Sequence, residues 1–291
     1  MRIFIKQSGC QEERELQVET ITFNGGEENI RIVDDALNEL DTETQFSARI
    51  ETRLTNSSAV MKLLLAVNAL RNIFGGTLNL ELKALYFPYA RQDRVCNEGE
   101  ALSVRVMADL INSMNFTKVV IADAHSDVTT ALLNNVVNLS QVNVINRCTT
   151  LTAKLKSNDY TLVAPDAGAA KKTHTLAKYM GCTSVVQGEK LRDMATGDII
   201  RTEINGDVAG KDLIIVDDLC DGGRTYLELA KVAKNRGAQS ISLYVTHGIF
   251  SQGMSVFAGL IDTIYTTDSF KTREQLQALN GADVSLTVVE L

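Results

Sequence analysis

Residues 213–225 read LIIVDDLCDGGRT. Four branched apolar residues, Leu213 to Val216, have the composition of a strand buried on both faces, as inside a parallel sheet. Two adjacent carboxylates, Asp217 and Asp218, follow where that strand is expected to end. Asp221, the pair Gly222-Gly223, Arg224 and Thr225 come next, and then a helical run from Tyr226 to Arg236 stopped by Gly237. Strand, turn and helix N-terminus together make an anion site, because amides and the positive end of the helix dipole converge at the turn. Glycine lets the backbone come close to a phosphate. The spacing is neither GxxxxGK[ST] nor GxGxxG, so a P-loop and a dinucleotide fingerprint both drop out.

The carboxylates change the ligand. Two acids beside a phosphate repel it unless they hold something else, and a sugar diol, a divalent cation, or both would satisfy them. A phosphorylated sugar with Mg²⁺ is the physical reading; an acidic strand-to-helix turn capped by Asp221, with no ligand, uses the same residues. VDDLCDGGRT resembles the ribose 5-phosphate loop shared by ribose-phosphate pyrophosphokinases, which make phosphoribosyl diphosphate (PRPP), and the type I phosphoribosyltransferases, which consume it. Those loops usually carry Thr at the position of Gly222 and Gly at that of Arg224. The loop alone does not separate the two activities.

At 291 residues the chain is long enough for two domains with their own cores. A formal charge of −7 argues against a general nucleic-acid or membrane-surface binder. No apolar run reaches the roughly 18 residues that span a bilayer, and the N-terminus lacks a signal-peptide core. The five cysteines are scattered without CxxC spacing, which speaks against zinc or a disulfide framework and makes a reducing cytoplasm the expected location. There are only two prolines, Pro88 and Pro165, and each stands between a strand-like run and a polar motif.

Short strands and turns are expected over residues 1–56, then a helix from Met61 to Asn72 with a glycine stop, a strand from Leu78 to Phe87 and a helix from Leu102 to Met114. The alternation continues with strand 118–122, helix 127–134, a short strand at Val142–Val144, helix 149–156, strand 160–164, helix 169–180 and strand 184–186. Gln187 to Lys211 is polar and punctuated by glycines, the composition of a mobile lid. This pattern implies α/β architecture with parallel sheets.

Four further motifs carry chemistry. FPYARQDR (87–94) sets Arg91, Gln92, Asp93 and Arg94 directly after a strand, which suits a polyanion and a base edge or a solvated loop. ADAHSD (122–127) offers His125 between carboxylates, as a metal ligand, phosphate contact, proton carrier or structural residue. APDAGAAKK (164–172) opens a helix, with Asp166 as its N-cap and Lys171 and Lys172 as a solvated face. Lys190 and Arg192 open the lid, where cations would meet charge building up between nucleophile and leaving group.

These motifs extend the resemblance to the ribose-phosphate pyrophosphokinases. FPYARQDR is similar to their FGYARQDR signature, which ordinary phosphoribosyltransferases lack, and implies ATP contacts for Arg91 and Gln92. His125 would inherit the role of a histidine contacting Mg²⁺ and nucleotide phosphates, and Asp166 that of a metal-site carboxylate near the ribose. Lys190 and Arg192 match a catalytic Lys-x-Arg pair. FNGGEEN (23–29) resembles FxDGE, implying ATP contacts for Phe23 and Glu27 across a dimer interface, with Gly25 in place of Asp. In THGIFS (246–251), His247 reads as structural.

The resemblance implies two phosphoribosyltransferase-like α/β domains, 1–143 and 144–291, each a mainly parallel sheet flanked by helices, with the last residues packing back on the first domain. It implies Mg²⁺-dependent diphosphate transfer from ATP to ribose 5-phosphate in a homo-oligomer built from dimers, up to a hexamer. Lys190, Arg192 and His125 would be catalytic, and Asp217, Asp218, Asp221, Gly222, Gly223 and Thr225 would hold the ribose 5-phosphate. A PRPP-consuming phosphoribosyltransferase and a catalytically silent, synthetase-associated regulatory subunit are the alternatives.

Overall fold

The structure is a computed structural model that describes residues 1–33, 45–75, 78–192, 199–280 and 284–291; for 190–192 and 199–201 it describes the backbone alone. The chain forms two compact units, Met1–Leu139 and Ser140–Leu291.

The first unit runs β1 (Arg2–Gln7), β2 (Arg14–Leu16), β3 (Val18–Thr22), β4 (Glu28–Ile32), β5 (Phe46–Glu51), α1 (Ser57–Phe74), β6 (Asn79–Lys83), α2 (Ser103–Ser113), β7 (Lys118–Ala122), α3 (Asp127–Leu132) and β8 (Val136–Leu139). Its six-stranded sheet has the order β2-β1-β5-β6-β7-β8, with β5 to β8 parallel and β1 antiparallel to both neighbours. β3 and β4 form a separate antiparallel hairpin. The long helix α1 starts where the Asn56 side chain accepts the Ala59 amide at 2.9 Å and ends at Gly75, φ +77°. Its buried residues Leu63, Ala66, Val67 and Leu70 recur at helical spacing and fill the core over the sheet.

The second unit runs α4 (Gln141–Ile145), α5 (Thr149–Lys156), β9 (Thr161–Ala164), α6 (Ala167–Met180), β10 (Val185–Arg192), β11 (Ile199–Asn205), β12 (Asp212–Cys220), α7 (Arg224–Asn235), β13 (Ser240–Gly248), β14 (Thr263–Thr267), α8 (Arg273–Leu279) and β15 (Ser285–Val289). The seven-stranded sheet has the order β11-β10-β9-β12-β13-β14-β15, parallel except for the edge strand β11. From β9 the chain crosses through α6 to β10 on one side, whereas β12 lies on the other side and leads through α7 to β13. Right-handed crossovers in opposite directions put α6 and α7 on opposite faces, so a crevice opens at the carboxyl ends of β9 and β12.

Three expectations are corrected. Val142–Val144 lies in helix α4, because Ser140 caps it by accepting the Asn143 amide at 3.2 Å; the strand comes earlier, as β8. β12 does not stop at Val216 but runs through both carboxylates to Cys220, since pairing with β13 continues from Asp217↔Val245 to Cys220↔Gly248. Much of the expected lid is a β-hairpin, β10 paired with β11 from Gln187↔Asn205 to Arg192↔Ile199; residues 193–198 lie outside the described residues. The final residues complete this same sheet, with Ser285–Val289 in register against β14.

Two glycines separate the effect of backbone geometry from that of packing. Gly223 (φ +81°) is pressed against Phe257, whose Cζ would lie 2.5 Å from an added Cβ, whereas Gly210 (φ +66°) faces open space. Gly210→Ala should cost about 1 kcal/mol of unfolding free energy and Gly223→Ala about 3 kcal/mol, read from urea denaturation midpoints. Equal losses would show that contact with Phe257 does not constrain the turn.

Candidate active site

Because side chains alternate along a strand, Asp217 and Asp218 point to opposite faces of the sheet. Asp217 shares a face with Leu213 and Ile215, which pack with the α7 residues Tyr226, Leu229 and Ala230. Its Oδ1 accepts the Asp218 amide at 2.9 Å, its main-chain oxygen accepts the Gln141 side-chain amide at 3.1 Å, and its Oδ2 lies 2.8 Å from the Tyr226 hydroxyl. The same hydroxyl is 2.5 Å from the Leu219 carbonyl oxygen. One phenolic hydrogen cannot serve two acceptors. Both contacts are satisfied when Asp217 is protonated and donates to the phenolic oxygen while Tyr226 donates to Leu219. Asp218 is buried on the other face, where Lys172 of α6 reaches it at 3.5 Å. Lys172 is therefore not the solvated residue expected from its place in the motif.

Asp166 enters from the neighbouring strand. Ile215 pairs with Val163, so the register brings Asp217 level with Pro165, one residue before Asp166. Asp166 caps α6, its Oδ1 accepting the Ala169 amide at 3.1 Å. Burial, then Asp218, then Asp166 push the Asp217 carboxyl up to about 7. β10 closes on the same turn, where a Cβ at Gly188 would sit 2.8 Å from the Pro165 carbonyl oxygen. Lys190 and Arg192 follow on this strand; their side chains lie outside the described residues.

The loop after β12 is held by its backbone: the amides of Ile249 and Phe250 donate to the Cys220 carbonyl at 2.9 and 3.1 Å, and Ser251 donates to Asp221 at 3.3 Å. Asp221, Gly222 and Thr225 are part-exposed around this turn, and Gly223 precedes the first residue of α7 without a side-chain cap. Arg224 is exposed. Lys271 approaches from the β14–α8 connection, donating to the Ile249 carbonyl at 2.7 Å; burial lowers its pKa and the nearby Asp221 opposes that shift. The Cys220 thiol is buried and pushed well up, first by desolvation and then by Asp217 and Asp221, so it is no nucleophile. His247 is buried with Nδ1 2.8 Å from Ser269 Oγ, the structural setting expected for it.

In the first unit, the Arg91–Gln92 and His125 loops leave the carboxyl ends of the neighbouring parallel strands β6 and β7. They are stitched by the Ala84 amide to Val120 at 3.0 Å and the Ala122 amide to Leu85 at 2.8 Å. Arg91, Gln92 and His125 are exposed, and each loop turns on a left-handed residue, Tyr89 (φ 61°) and Asp123 (φ 41°). Phe23 and Glu27 lie apart from them in sequence, on the β3–β4 turn, where the Phe23 amide donates to the Glu27 carbonyl at 2.8 Å. Both side chains are exposed; the acid held in place there is the next one, Glu28, by Ser58 at 2.5 Å, Thr22 at 2.9 Å and Lys62 at 3.3 Å. Sequence reasoning missed Tyr226, Gln141, Lys172 and Lys271. Tyr226 reads as the first apolar position of a helix, and the others stand far along the chain from the strand end they approach.

Asp217 gives the site a pH signature. An unfolded chain releases this proton near the ordinary 3.8, the folded one near 7, so between those values the folded state binds more protons and its stability falls as pH rises. Asp217→Asn keeps an acceptor for the Asp218 amide and a permanent donor toward Tyr226. Its melting temperature, followed by circular dichroism, should decline less than the parent's between about pH 5 and 8 and exceed it by a few degrees at about pH 8. Parallel curves would contradict the raised carboxyl.

Residues 184–290 match the phosphoribosyl synthetase-associated domain family. Ribose-phosphate pyrophosphokinase of Pasteurella multocida is 30% identical over 231 residues, covering 77% of this chain and 71% of that protein. The enzyme of the same name from Thermococcus kodakarensis is 30% identical over 259 residues, 88% of this chain and 87% of that one. The crystal structure of phosphoribosylpyrophosphate synthetase from Mycobacterium smegmatis superposes with a TM-score of 0.76 at 20% identity, covering 94% of this chain and 86% of that chain, a likeness of fold. With an acidic strand end, a glycine turn at a helix N-terminus and relatives matched along most of its length, the chain belongs to the ribose-phosphate pyrophosphokinase family.

Proposed function

We propose that this chain transfers diphosphate from ATP to the anomeric hydroxyl of ribose 5-phosphate, giving PRPP and AMP. The observation that carries the reading is the meeting of Asp166, Asp217 and Asp218 at the carboxyl ends of β9 and β12, beside the glycine turn that opens α7. Carboxylates accept from the ribose 2- and 3-hydroxyls, and the turn's amides and Thr225 take the 5-phosphate. In this reading Asp218 and Asp221 face the diol, Asp217 backs them from the other face of β12, and Gly222, Gly223 and Thr225 are phosphate-side residues.

The donor set fits Mg²⁺. It is oxygen-rich, and among the described residues no three acidic, His or Cys side chains converge to hold a metal alone. Mg²⁺ is ordinarily held by one or two carboxylates, waters and substrate phosphates. Asp166 is the carboxylate of the second unit that would help to hold it, and the ion when bound would neutralise phosphate oxygens. Arg91, Gln92 and His125 would contact ATP from the strand ends of the first unit, with Phe23 and Glu27 contributing from the hairpin. The anomeric oxygen attacks the β-phosphorus as the bond to the α-bridging oxygen breaks, and AMP departs. Lys190 and Arg192 offset the charge that builds on the transferred group and the leaving AMP.

No helix among the described residues is long and apolar enough to cross a membrane. We place the protein in the cytoplasm as a homo-oligomer.

³¹P NMR of the protein with ATP, Mg²⁺ and ribose 5-phosphate should show AMP and PRPP rising together, with Lys190→Ala slower by about 10²–10³-fold. No turnover, yet saturable binding of ribose 5-phosphate, would replace this reading with the silent regulatory subunit. Consumption of PRPP only with an added base would replace it with a phosphoribosyltransferase.

A further inference from the structure

The carboxylate pair is divided by the sheet, and its two members are held differently. Asp218 faces α6 and the cation of Lys172. Asp217 is fixed at three oxygens: Oδ1 by the Asp218 amide, the main-chain oxygen by Gln141 and Oδ2 by Tyr226. The Tyr226 ring is 5% exposed and packed among Leu213, Ile215, Leu229 and Ala230, so it is anchored in the core while its hydroxyl reaches the end of β12. That hydroxyl touches Asp217 and Leu219 together, on either side of Asp218 in sequence. It therefore ties both flanks of the buried carboxylate to the first turn of α7, the helix whose N-terminus borders the glycine turn.

We propose that Tyr226 is a positioning residue for the sugar site: its hydroxyl sets the path of residues 217–219, and through it the aim of Asp218 and of the turn that receives the 5-phosphate. This rests on the sugar-phosphate reading above and assigns a specific residue to it. Tyr226 touches no substrate. Its effect falls on ribose 5-phosphate recognition, because the segment it holds carries the diol acids, while nucleotide recognition is assigned to the first unit.

Tyr226→Phe tests this, since it keeps the ring in the core and removes only the hydroxyl. The variant should bind ribose 5-phosphate about tenfold more weakly by calorimetry, the scale of one lost hydrogen bond. Its KM for ribose 5-phosphate should rise by the same factor, with kcat and the KM for ATP within about twofold of the parent. Leu229→Ala loosens the same packing but retains the hydroxyl; it should lower the melting temperature and leave the KM for ribose 5-phosphate unchanged. Equal binding by the parent and Tyr226→Phe would overturn this proposal alone, as would a matching rise in KM for Leu229→Ala. No binding of ribose 5-phosphate by the parent would overturn the sugar-phosphate reading and this proposal with it.

Discussion

Asp166, Asp217 and Asp218 stand at the ends of two adjacent parallel strands, and their mutual repulsion in a partly desolvated crevice is the constraint that their surroundings answer. Each acid has a different partner. Asp166 turns back to cap α6, Asp218 meets Lys172 across the sheet, and Asp217 shares a hydrogen with Tyr226. The N-termini of α6 and α7 both point toward this end of the sheet and favour negative charge there. Even so, burial and its neighbours raise the Asp217 carboxyl, so the unbound site lessens the repulsion by holding a proton there, at a cost in stability as the pH rises toward 7. A site that costs stability until its ligand arrives fits a binding role better than a purely structural one.

The same logic of strand ends recurs in the first unit. There the loops after β6 and β7 leave neighbouring parallel strands, and Tyr89 and Asp123 adopt left-handed backbone that non-glycine residues seldom take. Asp123 is buried, its amide donating to the Leu139 carbonyl at 2.7 Å, so tertiary hydrogen bonds maintain that geometry. Arg91, Gln92 and His125 are exposed on the loops that these residues turn. Such placement is common where a loop must present polar groups to a ligand.

Much of this was legible in the sequence. The branched run at 213–216, the glycine stop after α1 and the alternation of strands with helices gave the α/β architecture, because each signal is local. Where the reading failed, the deciding interaction was distant. β12 outran its apolar residues because β13 pairs with Asp217 through Cys220, and no propensity favours two aspartates in a strand interior. Val142–Val144 was too short for periodicity to tell strand from helix, and the Ser140 cap decided it. The carboxylates were found from spacing, but their partners were not. Lys172 looked like a solvated lysine, and Tyr226 like ordinary core, until the fold showed which face of β12 each one meets.

The central claim is that the acids hold a diol while the glycine turn holds a phosphate. Calorimetric titration with ribose 5-phosphate, free ribose and 2-deoxyribose 5-phosphate separates the two contributions. The account predicts measurable binding of ribose 5-phosphate, with each analogue weaker by at least about tenfold because it lacks one set of contacts. Binding of 2-deoxyribose 5-phosphate as tight as that of ribose 5-phosphate would show that the carboxylates do not read the sugar, and the account would fail.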